Sequence, residues 1–264
     1  MKFGIIGLGN MGSAILSGIL KNGVLAADDI IGAEVNSERR FAIGEESGIE
    51  TTGVSREAAE KSDILLLSVK PQVYETVIGD IKEVIRPEQI IISIAPGKTI
   101  AWLAEKFGKE LKLVRCMPNT PALVLEGCTG VCKSPLVTEE EFETVLKLLQ
   151  SFGKAYQVEE KQMDAVVAIS GSSPAYVFML IEAMADAGVA EGLPRASAYE
   201  FAAQAVLGSA KMVLESGKHP AELKDMVCSP AGTTIEAVEV LEEKGFRSAI
   251  IEAMRVCAKR SREL

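Results

Sequence analysis

Apolar residues in the first 160 positions come in short runs separated by amphipathic stretches. Lys2–Ile6, Ile30–Glu34, Ile64–Val69 and Ile90–Ile94 are runs of the kind a strand buried on both faces requires. Lys112–Met117, Thr129–Cys132 and Ala155–Val158 add three further predicted strands. Between them lie stretches of helical period. One is Asn10–Leu20, with Met11, Ile15, Ile19 and Leu20 on one face; others begin at Ser37, run near Val73–Ile85, and occupy Glu139–Gln150. Strands that alternate with helices predict a parallel sheet covered on both faces.

Past about Glu160 the strand signals stop. Helices are predicted over Lys161–Ile169, Pro174–Glu191, Arg195–Ser216, Ala221–Val227, Thr234–Lys244 and Phe246–Arg262. Gly192-Leu193-Pro194, Ser216-Gly217 and Gly245 punctuate them. The organisation expected is an α/β domain over 1–160 and an all-helical domain over 161–264. The helix from Pro174 is apolar almost all round (Ala175, Tyr176, Val177, Phe178, Met179, Leu180), and such a helix must be enclosed. A helical domain of this size has little interior in which to enclose it, which predicts cover by a second subunit and makes this the expected dimerisation domain; a central core helix within a monomer is the alternative. The apolar stretch Ala175–Ala185 is too short to span a bilayer. Met1–Gly7 reads as a first strand and not as an export signal, so the expected compartment is the cytoplasm, with no membrane partner.

Charge narrows the partners. A net charge of −9 argues against a nucleic-acid partner, which needs a basic face. The five cysteines, an odd number, read as reduced thiols. Cys128 and Cys132 form a CxxxC, but His219 is the one histidine of the chain and no further ligands lie near in sequence, so no metal is expected. His219, in a Lys-His-Pro turn, reads as structural, and no Ser/His/Asp set is available.

Gly7-Leu8-Gly9-Asn10-Met11-Gly12 is a GxGxxG that follows a predicted strand and opens a predicted helix. In that context it is the dinucleotide fingerprint of a doubly wound, Rossmann-like domain. Gly7 serves the tight turn, Gly9 the approach of the pyrophosphate, and Gly12 the helix–strand packing. Ile6, Leu8, Asn10 and Met11 complete the expected cofactor contacts. Glu34 stands at the end of the second strand, where a carboxylate accepts from a ribose 2′-hydroxyl and so favours NAD(H). Asn36, Ser37, Arg39 and Arg40 follow at once, and arginines there pair with a 2′-phosphate and favour NADP(H). The sequence leaves that choice open.

Other strand ends converge on the same side of the sheet, where ligands of open parallel sheets bind. Ser68-Val69-Lys70-Pro71 ends the third long strand, with Lys70 facing either ligand or solvent. Ile94-Ala95-Pro96-Gly97 ends the next, and Asn119 and Thr120 lie in a rigid turn between prolines. In the second half, Ser229-Pro230-Ala231-Gly232-Thr233-Thr234 precedes a helix whose free amides suit a compact carboxylate; a plain capping loop is the alternative. A site with a dinucleotide and no strong acid, base or metal fits hydride transfer. An imine is an apt acceptor, since its product nitrogen needs only one hydrogen-bonding partner, such as the Thr234 hydroxyl.

Six blocks carry a resemblance along essentially the whole chain: Gly7–Gly12, Ser68–Gln72, Arg115–Ala122, Gly171–Tyr176, Gly192–Arg195 and Asp225–Thr234. In this order and spacing they resemble the pyrroline-5-carboxylate reductases. The resemblance implies reduction of 1-pyrroline-5-carboxylate to L-proline with NADP(H) or NAD(H). It implies that Ser229, Gly232, Thr233 and Thr234 hold the substrate, with Thr234 as the catalytic hydroxyl at the ring nitrogen. It also implies that Ser68, Val69, Lys70, Pro71, Ala95 and Gly97 line the nicotinamide half, with Asn36 and Asn119 among the cofactor residues. Members form homodimers through interlocked helical domains, often assembled into larger rings such as decamers. Three positions depart from the common pattern: Ala231 and Pro96, where glycine and alanine are usual, and Glu34, where a small hydroxyl residue is usual. The change at Ala231 is expected to be mild; Glu34 bears on the usual NADPH preference. Two rival readings remain: a dehydrogenase of similar design acting on a β-hydroxy acid, and a non-catalytic dinucleotide sensor.

Overall fold

The computed structural model describes residues 1–263. The chain divides into two compact units, Met1–Ser172 with the C-terminal turns from Cys257, and Ser173–Val256. Each unit stands on its own pattern of burial.

The first unit is built on an eight-stranded sheet of order β3-β2-β1-β4-β5-β6-β7-β8. Strands β1 (Phe3–Ile6), β4 (Ile64–Leu67) and β5 (Ile90–Ser93) form its centre and are buried at every position, as their unbroken apolar sequences require. β2 (Ile30–Ala33) and β3 (Glu50–Thr52) extend one side, and β6 (Lys112–Met117), β7 (Gly127–Lys133) and β8 (Gly153–Gln157) the other. Helices α1 (Asn10–Lys21), α2 (Ser37–Ser47), α3 (Ser55–Lys61), α4 (Tyr74–Ile81), α5 (Ile100–Phe107) and α6 (Glu139–Leu149) alternate with them. Two cores result, one on each face: Phe3, Ile5, Ile15, Ile19 and Phe142 on one side, Ile6, Leu65, Tyr74, Leu103 and Phe107 on the other.

The sheet is not wholly parallel. β7 runs antiparallel to β6, pairing Val114 with Lys133 and Met117 with Gly130, while β8 is parallel to β7. The link from Met117 to Gly127 holds only a short 3₁₀ turn, Thr120–Val124, and has no crossover helix that could carry the chain back to the same end of the sheet. Three elements escaped the pattern reading: β3, α3 and α5. The region read as one helix over Lys161–Ile169 is α7 (Met163–Val166) followed by a π-helical turn, Val167–Gly171, in which the Ser172 amide reaches the Val167 carbonyl at 2.8 Å.

The second unit contains α8 (Ser173–Ala190), α9 (Arg195–Ser216), α10 (Pro220–Val227), α11 (Thr233–Glu243) and most of α12 (Phe246–Arg262). Helix α8 packs on α9 through small residues: a side chain at Gly188 would meet Leu193 and Ala198 at 3.3 and 3.4 Å. Arg195 ties the turn back to Asp186 at 2.5 Å and lies over the Tyr199 ring. His219 caps α10, its Nδ1 accepting from the Ala221 amide at 3.2 Å, which is the structural role its sequence context suggested. Ala185, Ala198 and Ala202 are the buried apolar residues of α8 and α9, whereas Phe178 and Met179 are 62% and 68% exposed.

One length estimate needs correction. The helical run Glu160–Ala190 spans 31 residues and is, by length and composition, long and apolar enough to cross a membrane. Ala175–Ala185 was too narrow a window on it. The run nevertheless carries Glu160, Lys161, Asp164, Glu182 and Asp186, and its π-helical turn interrupts a regular helix.

Candidate active site

β1 and β4 are adjacent and their onward connections leave in opposite directions, so the crevice at their carboxyl ends is the switch point of the sheet. A cleft of about 540 Å³ lies there. Ile6, Gly7, Gly9, Glu34, Ser68, Val69 and Lys70, all expected from the sequence, line it.

The glycine motif explains how the floor is made. Gly7 has φ 94°, a conformation that L side chains rarely adopt, and a Cβ there would strike Val69 at 2.7 Å. At Gly12 a Cβ would stand 2.1 Å from the Gly7 carbonyl oxygen, so the first turn of α1 lies directly on the loop. At Gly9 a Cβ would meet nothing within 4 Å, leaving the backbone bare toward the cleft. Gly9 is the N-cap of α1 and no side chain caps the helix. Unspent amides and the helix dipole therefore face the position a pyrophosphate takes. The residues present fit a dinucleotide.

The rest of the rim is held by backbone. The Ser68 hydroxyl donates to the Gly7 carbonyl, tying the β4 loop to the β1 loop. Glu34 accepts from the Leu8 amide at 3.2 Å and the Asn36 amide at 3.0 Å. Asn36 in turn caps α2, accepting from the Arg39 amide at 2.8 Å. Leu8 itself is fully buried, so its part in the site is played by its backbone.

Several expected residues take supporting positions. Ala95 is buried in the core, Pro71 opens a 3₁₀ turn, and Gly97, at φ 73°, turns the chain between β5 and α5. Asn10 and Met11 open α1. The Asn119 side chain is 7% exposed; its oxygen accepts from the Cys128 amide at 2.8 Å and its nitrogen donates to the Ser170 carbonyl at 3.0 Å. It thus joins β7 to the π-helical turn, and any cofactor contact from this residue falls to its backbone.

Sequence reasoning missed Val35, Gly53, Ser55, Thr76 and Asp80, which also line the cleft. Gly53 and Ser55 join β3 to α3, and those two elements were the missing signal. It also missed Tyr74. This side chain is fully buried; its hydroxyl donates to the Leu67 carbonyl at 2.6 Å and accepts from the Ser93 hydroxyl at 3.2 Å. Tyr74 thereby fastens the ends of β4 and β5, from which the Ser68–Pro71 and Ile94–Gly97 loops spring. Burial pushes its phenol well above the usual range, so it stays neutral.

Cys128 and Cys132 lie four positions apart on β7, about 13 Å of extended chain. That span keeps them from a shared ion. Burial pushes the Cys132 thiol up to about 11 and raises that of Cys116 as well, so neither is a thiolate at neutral pH.

In the second unit, Ser229-Pro230-Ala231-Gly232 forms a turn closed by the Gly232 amide on the Ser229 carbonyl at 3.0 Å. Gly232 is the N-cap of α11 and no side chain caps it, so the amides of Thr233 and Thr234 head the helix. Ala231 sits at φ 55°, in the left-handed region. The turn favours glycine at that position, so alanine there carries some backbone strain.

Comparison with known proteins identifies the family. Residues 160–264 match the family model described as pyrroline-5-carboxylate reductase dimerisation, and residues 2–97 match that described as NADP oxidoreductase, coenzyme F420-dependent. The pyrroline-5-carboxylate reductase of Escherichia coli strain K12 is 50% identical over 263 residues, covering 100% of this chain and 98% of the relative. The solved pyrroline carboxylate reductase of Plasmodium falciparum, with NADP bound, superposes with a TM-score of 0.91 at 32% identity, covering 100% of this chain and 97% of that one. The Coxiella burnetii pyrroline-5-carboxylate reductase superposes at 0.93 and 32%, covering 99% and 97%. On identity of this order over its full length, the chain belongs to the pyrroline-5-carboxylate reductase family.

Proposed function

We propose that the protein catalyses the NAD(P)H-dependent reduction of 1-pyrroline-5-carboxylate to L-proline, the last step of proline biosynthesis. The observation that carries the reading is full-length kinship with reductases of that name, together with a cleft at the β1/β4 switch point floored by Gly7, Gly9 and Gly12. The domain roles follow: residues 1–160 bind the dinucleotide, and residues 161–264 bind substrate and dimerise.

A reduced nicotinamide, when bound, supplies the hydride. The chain's own work is placement. Amides at the start of α1 hold the pyrophosphate, and Ser68, Val69 and Lys70 border the other end of the cofactor. Ser229, Gly232 and Thr233 hold the substrate carboxylate through hydroxyls and the uncapped amides of α11, whose dipole favours an anion. Thr234, on the first turn of α11, offers its hydroxyl to the ring nitrogen of the protonated imine, so that hydride addition to the imine carbon leaves that nitrogen as a neutral N–H. Hydrogen bonding to the nitrogen is all the product requires, which accounts for a site without a histidine or metal ligand set.

The same reading makes the protein a cytoplasmic homodimer through its helical domain, assembled further into a ring such as a decamer, with no membrane or nucleic-acid partner. Support comes from the dimerisation model over 160–264 and from the exposed apolar surface of α8.

The test is steady-state oxidation of NADH and NADPH with the imine, for wild type and Thr234→Ala. Wild type turns over. Thr234→Ala lowers kcat by roughly ten- to a hundredfold, as loss of one hydrogen bond to a reacting polar group does. Absence of turnover with either coenzyme overturns the assignment, and an unchanged rate in the variant removes Thr234 from the mechanism.

A further inference from the structure

We propose that Glu34 makes this chain select a dinucleotide with a free ribose 2′-hydroxyl, NADH, over one with a 2′-phosphate, NADPH. The inference rests on the reductase reading only for the location of the coenzyme.

Glu34 follows the last residue of β2 and lines the cleft beside Gly7 and Gly9. Its backbone is fixed from two sides. The Glu34 amide donates to the Thr52 carbonyl at 3.0 Å, and the Glu34 carbonyl accepts from Arg40 Nη1 at 2.8 Å. Its carboxylate is fixed as well, one oxygen on the Leu8 amide and the other on the Asn36 amide. The carboxylate therefore bridges the glycine loop and the entry to α2 before any ligand arrives. Each oxygen keeps a further lone pair for a hydroxyl donor. A ribose hydroxyl donates to such a group; a 2′-phosphate has no such hydroxyl and brings up to two negative charges against it.

Several of the groups that would welcome a phosphate already hold partners in the turn. The Asn36 amide is held by Glu34 and the Arg39 amide by the Asn36 side chain. Arg39 Nε donates to the Leu8 carbonyl at 2.6 Å. Arg40 spends Nη1 on the Glu34 carbonyl and lies against Gly53, whose Cβ position is 3.0 Å from that nitrogen. A phosphate approaching the remaining guanidinium nitrogens would also have to approach the Glu34 carboxylate, which lines the same cleft. The arginines brace the Glu34 turn, which resolves the ambiguity their sequence positions left.

Binding is measured directly by calorimetric titration of NADH and NADPH, and of ADP-ribose and its 2′-phosphorylated form, into the full-length protein. Kcat/KM for both coenzymes follows where turnover is seen. Wild type binds the 2′-hydroxyl ligand of each pair at least about tenfold more tightly, the scale of one charge-assisted hydrogen bond. Glu34→Ser moves the ratio toward NADPH by about a hundredfold, and Glu34→Gln, which keeps the shape but has one accepting oxygen for the two backbone amides and no charge, moves it part of the way. Equal or tighter wild-type binding of NADPH overturns the proposal, as does a ratio unchanged in Glu34→Gln. Should Glu34→Ser fail to fold, the wild-type ratio and the Gln variant still decide. Failure of the reductase reading is separate: it shows as binding without turnover of the imine.

Discussion

The two units of this molecule solve the same problem with opposite success. In Met1–Ser172 the apolar residues of both sheet faces disappear into two cores, and large side chains such as Phe3, Tyr74, Phe142 and Phe152 are essentially inaccessible. In Ser173–Val256 the comparably apolar helices α8 and α9 bury three alanines and leave Phe178, Met179, Phe201 and Leu214 largely exposed. A sheet with helices on both faces encloses its apolar positions within one chain, whereas an all-round apolar helix in a domain of some eighty residues has too few neighbours. The residues that line the cleft all belong to the first unit, whereas the second leaves its large apolar side chains exposed.

The sharpest way to break this contrast is to charge the exposed helix. Phe178→Glu is expected to raise the dimer dissociation constant by about a thousandfold, equivalent to about 4 kcal/mol, because a carboxylate placed in an apolar interface loses its hydration. Sedimentation should show monomers at micromolar protein, while NADH binding to the sheet unit stays within threefold. Wild type that sediments as a monomer would mean that α8 is covered by something other than a second copy. A variant that dimerises as well as wild type would place the interface on other helices.

Within the sheet unit, the glycine motif separates fold from ligand. Gly12→Ala puts a methyl 2.1 Å from the Gly7 carbonyl, a backbone atom that cannot swing aside. It should cost about 3 kcal/mol of stability, measured by denaturant unfolding, and abolish coenzyme binding. Gly9→Ala meets nothing within 4 Å and should fold with stability changed by less than about 0.5 kcal/mol, yet bind coenzyme at least tenfold more weakly. Equal loss of stability in both variants would break the distinction between a packing glycine and a ligand-facing one.

How much of this was legible beforehand depends on what each element has to bury. β1, β4 and β5 are buried at every position, so their sequences are continuous apolar runs and were easy to read. β3 is Glu-Thr-Thr at the sheet edge, and α3 buries only Ala58 and Ala59; neither leaves a period long enough to recognise. The direction of β7 was hidden because alternation is the same for either orientation, and only the short connection from β6 decides it. Gly7, Gly9 and Gly12 were legible because the loop demands glycine for steric reasons. Tyr74 was not, since a tyrosine near the start of an amphipathic helix reads as core, and its hydroxyl gains meaning only when Leu67 and Ser93 are placed beside it. Glu34 was legible as a carboxylate of uncertain consequence, because its hydrogen bonds to Leu8 and Asn36 join residues 26 and two positions away.

The smallest effect tests the strained turn of the helical unit. Ala231 holds φ at 55°, and an L-residue in the left-handed region costs roughly 1–2 kcal/mol. Ala231→Gly removes that strain but gives the unfolded chain more freedom, which offsets about 0.5–1 kcal/mol. The net expectation is a gain of up to about 1.5 kcal/mol, seen as a rise in Tm of up to about 6 °C for a chain of this length. A loop that keeps its conformation should also keep its KM for the imine. A higher Tm with unchanged KM would mean that the turn is fixed by the Gly232–Ser229 hydrogen bond and the start of α11. A higher KM would mean that the alanine methyl holds the uncapped amides in place for the carboxylate, and that the strain at Ala231 is retained for binding.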